Sequence, residues 1–444
     1  MTTRSSPHTT RDTPVARASH KAIRRLVPFL LLMYVMAFID RANVGFAKQA
    51  LKDTVGISDM AFAFGASVFF IAYVLAEIPS NIMLHKVGAR LWLARIMVTW
   101  GLVSAATLFV DSATSFYVLR FILGACEAGF FPGVILYLTY WFPDHYRTRV
   151  TGLFYIGAPL AFMLGAPLSG FLLRIDAGGL LGYQWMFLIE GLGATAVGIW
   201  AFFYLPSRPT DARWLSAEEQ TELTACITRE QQAKMAHGPR TMLASMRDAR
   251  VLYFALIFFL IQMGVAVIVF YLPTFISRVT GALPGTLVGF MVAVPWTCAL
   301  LATLAVPKLA ARHQHLVGYG AACLVVAAAG MAASASASPA LALGAMCVAV
   351  AGIWAAQPIF WSLLTNYLGG AAAVAGVAFV NCVANIGNFL SPNVKALADV
   401  ALQSEVGGLL VLAGVVLLAA VLYLGLGRHA RREATTASES PVPR

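Results

Sequence analysis

Apolar residues come in long runs along this chain, and runs of about 20 are what an α-helix needs to cross a hydrocarbon core. Twelve such stretches are predicted, at about 24–47, 62–84, 92–110, 115–141, 150–173, 185–205, 251–276, 284–306, 315–334, 340–364, 373–396 and 406–427. The one long polar segment, 206–250, divides them six and six. The expected organisation is a disordered tail (1–23), a six-helix half (24–205), a linker (206–250), a second six-helix half (251–427) and a second tail (428–444). Within the linker, Ser216-Ala-Glu-Glu219 spells a capping box and predicts a surface helix through Met235. The fold class is therefore an all-α integral membrane protein.

The fourth run breaks the apolar pattern. It reads Arg120-Phe-Ile-Leu-Gly-Ala-Cys-Glu127, with two ionisable side chains at membrane depth. Such residues rarely face lipid and usually mark an ion or substrate path. Seven residues is two turns, so both share one helix face, roughly 10 Å apart along the axis. A cation above an acid suggests an anion site beside a proton-titrating group. A static pair holding helices together is the alternative.

Composition supports the membrane reading. Of 444 residues, 59% are hydrophobic and only 11% charged, too little charge to cover a soluble protein of this size. The net charge of +11 would favour nucleic acid in a soluble protein. Here the basic residues flank the spans: Lys21, Arg24 and Arg25 before the first, Lys86 and Arg90 after the second, Arg147 and Arg149 after the fourth, and a group in the linker. Twelve spans put these on one side, so both termini are expected in the cytoplasm and the protein in the inner membrane. Residues 1–21 are too long and too polar before the first run for a signal peptide. The six cysteines form no close pair, so neither a disulfide framework nor a zinc site is expected.

Two six-span halves joined by a polar segment suit a transporter built from repeats. Here the chain resembles the major facilitator superfamily, and within it the anion:cation symporter family of tartrate- and phthalate-type permeases. Ile39-Asp-Arg-Ala-Asn43, Ala76-Glu-Ile-Pro-Ser-Asn81, Arg120 to Gly133, Tyr137-Leu-Thr-Tyr-Trp-Phe-Pro143, Trp185-Met-Phe-Leu-Ile-Glu-Gly191 and Arg208-Pro-Thr-Asp-Ala-Arg-Trp-Leu215 carry the resemblance. The loop after span two keeps Gly88 and Arg90 of the superfamily's G-x-x-x-D-R-x-G-R-R motif, but has Asn81 and His85 where that motif has glycine and aspartate.

The resemblance implies a major facilitator fold and roles for particular residues. Asp40 and Glu127 would carry protons, Arg41 and Arg120 would attract the anion, and Tyr73 would line the site. Protonating Glu127 would free Arg120 for a substrate carboxylate. Two other readings stay open: Asp40 and Arg41 at the outer interface, and Tyr73 as an ordinary packed aromatic. Glu77, just before Ile78-Pro79, suits a gate as well as a substrate contact. In the second half, Gln262, Tyr271, Gln357, Ser362, Asn381, Asn385 and Asn388 are uncharged polar candidates. Interhelical hydrogen bonding accounts for most, with Gln357 and Asn381 preferred as site lining. Lys395 and Asp399 are expected to be solvated. Arg90 is expected to latch the cytoplasmic side on a helix C-terminus or an acid, with Asp144 as a candidate partner.

The expected activity is proton-coupled import of a small organic carboxylate by alternating access, by a monomer in the lipid bilayer, with H+ as coupling ion, no cofactor and no nucleic-acid partner. An uncoupled exchanger or facilitator is the alternative. No H-E-x-x-H, G-x-S-x-G or P-loop signature supports an integral-membrane enzyme. Aromatics suit an aromatic acid and amides a hydroxy acid, so the residues leave the substrate open.

Overall fold

The structure is a computed structural model and describes residues 13–237, 247–283, 285–336, 338–367 and 370–438. Before the linker lie α1 (Pro14–Val55), α2 (Asp59–Val87), α3 (Ala89–Ala106), α4 (Ala113–Glu127), α5 (Phe130–Trp141), α6 (Asp144–Tyr155), α7 (Gly157–Leu172) and α8 (Gly182–Tyr204). The linker carries α9 (Ala217–His237). After it come α10 (Ala249–Thr280), α11 (Thr286–Arg312), α12 (Leu316–Ala333), α13 (Pro339–Tyr367), α14 (Gly370–Ala401) and α15 (Gly407–Ser438). Among the described residues, 11 helical stretches are long and apolar enough to cross a membrane, six before α9 and five after it. The stretch expected at 373–396 is taken up by α14, whose 32 residues reach roughly 48 Å, although several of its first side chains lie outside those described.

Two tail assignments change. Residues 14–23 are helical, because Thr13 caps the helix with Pro14 in its first turn, and Ala16, Ala18 and Ala22 are buried. At the other end, α15 runs past 427 to Ser438. The outward faces are apolar: Leu102, Phe109, Trp200, Phe203, Leu301 and Val421 are all at least half exposed. Exposed apolar surface on this scale suits lipid rather than water.

Lipid is as apolar as leucine, so helices here associate through close packing and hydrogen bonds. On the side away from the termini, the first six passes and the last six meet backbone to backbone. At Gly45 of α1 a Cβ would lie 2.7 Å from the Phe270 carbonyl oxygen of α10. At Gly289 of α11 it would lie 2.4 Å from the Ala166 oxygen of α7. Asn393 of α14 donates to the Ser67 hydroxyl of α2 at 2.8 Å. Nearer the middle, Phe162 of α7 stacks on Trp296 of α11 with centroids 4.0 Å apart, and Trp354 of α13 meets Trp296 edge-on.

The linker helix forms where its capping box predicts. The Ser216 hydroxyl accepts from the Glu219 N–H at 3.2 Å, and Glu219 Oε2 accepts from the Ser216 N–H at 2.9 Å. Glu219 also takes the Lys21 ammonium at 2.9 Å and lies 3.7 Å from Arg17, which clamps α9 to the start of α1. Burial pushes the Glu219 carboxyl up, but Lys21, the Ser216 N–H and Arg17 outweigh it and hold it below the usual range. A depressed folded value means the contribution is complete above the ordinary glutamate pKa of about 4.3 and is lost as pH falls through the folded value. Glu219→Ala is expected to speed hydrogen exchange of the Leu223 and Ile227 amides about fivefold at pH 7, the scale of one lost cap. The parent should loosen there only in acid. Parental protection in the variant would dismiss the clamp.

Candidate functional site

The fourth pass is two helices, and the break makes the site. Pro132 has no N–H to give the carbonyl four residues back, and its ring clashes with that carbonyl. The residue four back is Ala128, which leaves helical geometry at φ −55°, ψ 133°. Gly129 follows at φ +85°, and α5 restarts at Phe130. Glu127 is thus the last residue of α4, roughly 21 Å into the pass from Ala113. Non-helical backbone at this depth is tolerated where protein buries it or it lines a cavity.

Glu127 faces α1. Arg41 donates to Glu127 Oε1 from Nε at 2.9 Å and from Nη2 at 2.5 Å. The carboxylate is 1% exposed and the guanidinium side chain 21%. Glu127 Oε2 has no partner among the described residues. The guanidinium lies 5.1 Å from the Phe38 ring centre and 5.6 Å from those of Phe69 and Tyr73. Arginine over aromatic faces is attracted by the ring quadrupole.

These groups form one wall of a cavity between the two sets of passes. Tyr34, Phe38, Arg41, Tyr73 and Glu127 contribute from one side, and Gln262, Gln357, Asn381, Asn385, Asn388 and Trp354 from the other. On the amide wall, Gln262 Oε1 and Gln357 Nε2 lack partners among the described residues, while Asn388 donates to Asn385 at 3.1 Å. One wall therefore offers a cation with an acid, the other neutral donors and acceptors.

The sequence-based expectations meet this geometry unevenly. Arg41, Tyr73, Glu127, Gln357 and Asn381 line the cavity; Asp40 and Arg120 are not among its lining residues. Adjacent helical positions point about 100° apart, so Asp40 turns away when Arg41 faces in. Asp40 is 3% exposed and accepts from Ser104 and from Asn43 inside the first half. Arg120 is also 3% exposed, sits 5.0 Å from the Phe69 ring centre and lies within electrostatic reach of Asp40 and Glu127. The expected Arg120–Glu127 pairing is therefore replaced by Arg41–Glu127. Two turns of helix separate Arg120 from Glu127, whereas Arg41 approaches from the facing helix.

Among the described residues, Arg90 meets a helix C-terminus, the first of its two expected kinds of partner. It donates to the Phe202 carbonyl at 2.5 Å and covers the Phe202 ring, at the C-terminal end of α8 in the same half. The side chain of Asp144 lies outside those described. Tyr271 lies on the far side of the Gly45 contact, in a separate cavity. Lys395 and Asp399 are less solvated than expected: their side chains, in the wall of that separate cavity, are 12% and 22% exposed. Glu77, 4% exposed, accepts from Asn381 at 3.3 Å and from the Cys382 thiol at 3.4 Å, tying α2 to α14. Sequence reasoning assigned no role to Glu190, which is buried and accepts from Ser169 at 2.7 Å. An acid inside an apolar run, within the Trp185–Gly191 segment, was its signal.

Comparison with known proteins fits this architecture. Residues 30–392 match the family model of the Major Facilitator Superfamily. A protein of Agrobacterium vitis named for tartrate transport is 41% identical over 95% of this chain and 94% of its own. The inner membrane transport protein RhmT of Escherichia coli (strain K12) is 39% identical, covering 90% and 93%. A quinolone resistance transporter of Acinetobacter baumannii is 35% identical, covering 90% and 92%. Among solved structures, the inward open conformation of the xylose transporter XylE from E. coli superposes with a TM-score of 0.72 over 90% of this chain and 95% of its own. At 16% identity that likeness shows the fold alone. The chain belongs to the major facilitator superfamily, with the permeases of the anion:cation symporter type, and is a multi-pass membrane transporter rather than an enzyme.

The break at Gly129 is directly testable. Its φ of +85° costs an L-residue about 1–2 kcal/mol. A Cβ there would also lie 2.4 Å from Ser80 Oγ. Ser80 Cβ would be only 2.7 Å away, so Gly129→Ala should lower the thermal midpoint of the purified protein, and Ser80→Gly should restore only the steric part. Full restoration would show that the backbone conformation contributes nothing.

Proposed function

We propose that this transporter carries a small organic carboxylate together with a proton, importing it by alternating access through the central cavity. The observation that carries this reading is the Arg41–Glu127 pair in the cavity wall, with one carboxylate oxygen unpartnered among the described residues. An arginine fork suits a carboxylate because two parallel N–H bonds match its two oxygens. While Glu127 is ionised it occupies that fork. A proton on Glu127 removes the competing charge, and the guest's carboxylate takes its place. Loss of the proton on the other side returns Glu127 to Arg41 and expels the guest. Buried Arg120 and Asp40 lie behind the pair, within electrostatic reach of it.

The relative named for tartrate supports a carboxylate guest. The amides of Gln262 and Gln357 on the opposite wall suit its hydroxyl groups or a second carboxylate. Termini in the cytoplasm, as the basic flanks predict, make the sealed side periplasmic.

Tartrate is the probe for the test. Glu127→Gln should abolish uphill accumulation driven by a proton gradient in proteoliposomes while counterflow persists. Arg41→Lys, which loses the two-pronged contact, should raise the apparent KM about tenfold. Uphill accumulation by Glu127→Gln at the parental level would refute the coupling role. Parental accumulation that survives an uncoupler would favour a carrier that exchanges anions without protons.

A further inference from the structure

The first helix carries a second set of cations beyond the contact that seals the cavity. Tyr34, Phe38 and Arg41 line the central chamber. Gly45, one turn on, meets the Phe270 carbonyl. Lys48 and Lys52 follow at helical spacing, so Arg41, Gly45, Lys48 and Lys52 form one stripe. Lys48 and Lys52 line a separate cavity at the face opposite the termini, with Tyr271 of α10 and Lys395 of α14.

Two ammonium groups from different halves lie against one ring there. Lys48 Nζ lies 5.0 Å and Lys395 Nζ 4.5 Å from the Tyr271 ring centre. Their side chains are only 14% and 12% exposed. Each is held by its own acid: Lys48 by Asp59 at 2.8 Å, and Lys395 by Asp399 at 2.5 Å. An ammonium has three donors, so one acid does not use them up. Asp59 also takes Lys52 at 2.8 Å, and Asp399 accepts from the Gly408 N–H at 2.7 Å. The acids are thus shared. The Tyr271 hydroxyl is buried and has no partner among the described residues. Arg278 brings a fourth cation to the lining, against the three acids Asp59, Asp399 and Glu405.

We infer that Lys48, Lys395 and the Tyr271 hydroxyl form a second anion site, a waypoint at the outer mouth where a carboxylate is captured before the Gly45 contact parts and passes it to Arg41. The ligand class rests on the carboxylate-import reading; the site itself rests on two ammonium groups and an unpartnered hydroxyl gathered around one ring in one cavity. Capture at the mouth raises the local concentration of an anion on one side only, so its loss shows in one direction of transport.

The test compares tartrate uptake from the mouth side with uptake from the terminal side in oriented vesicles. Lys48→Gln and Lys395→Gln should each raise KM from the mouth side about tenfold, one charge-assisted contact, with KM from the terminal side parental. Lys48→Arg, which keeps the charge, should restore most of the affinity. An equal change from both sides, or none, overturns the waypoint. A parent that moves no tartrate sinks the carboxylate reading alone. Crystals soaked in bromide then decide: an anomalous peak between Lys48 and Lys395 that Lys48→Gln removes supports the site, and no peak overturns it.

Discussion

An ion pair that sits half in protein and half in an aqueous chamber is the constraint on which this structure turns. An arginine or a carboxylate at the middle of a bilayer costs about 2.5–3.5 kcal/mol even by the lower estimates. Paired, the Arg41 guanidinium and the Glu127 carboxylate offset much of that cost. Yet the pairing is incomplete: both hydrogen bonds from Arg41 go to Oε1, and Oε2 has no partner among the described residues. A fully satisfied pair would be glue. This one leaves one oxygen open, as the proposed exchange of partners requires.

The backbone is arranged to present that carboxylate. Glu127 ends α4 because Pro132 forbids the helix to continue, and Gly129 supplies the turn that only glycine adopts cheaply. Had the helix run straight, the side chain would have taken its direction from the neighbouring turns. Behind the wall, Asp40 with Ser104 and Glu190 with Ser169 keep further acids inside the first half. The first half therefore holds the charged chemistry, while the second faces it with amides and indoles.

Much of this was legible in the chain. The spans follow from what lipid demands of a backbone, and apolar runs of about 20 residues state it directly. The capping box at Ser216 placed α9 because its hydrogen bonds are local. What could not be read was which neighbour each charge would choose. Arg120 and Glu127 share a helix face, but the partner of Glu127 comes from α1, a long-range contact that spacing on α4 does not encode. One correction was within reach: Asp40 and Arg41 are adjacent, so a helix cannot turn both to the same cavity. The Pro132 break was visible too, in Ala128-Gly-Phe-Phe-Pro132. Lys395 and Asp399 looked solvated because their burial depends on Tyr271 from another helix.

The same stripe of α1 shows how a seal and a path coexist. Arg41 faces the chamber and Lys48 the outer mouth, two turns apart, roughly 10 Å. Between them stands Gly45, the one position in that stripe with no side chain, and there the helix touches the Phe270 backbone of α10. A larger residue would hold the helices apart and leave the chamber leaking; a charged one would bury an unmet charge. Glycine closes the gap without adding a group that must be paid for when the contact parts. Separation of the helices at that contact then uncovers backbone alone, and the cations above and below come to line one continuous wall. On the proposed import path, an anion following that wall would leave one positive group only as it reached the next.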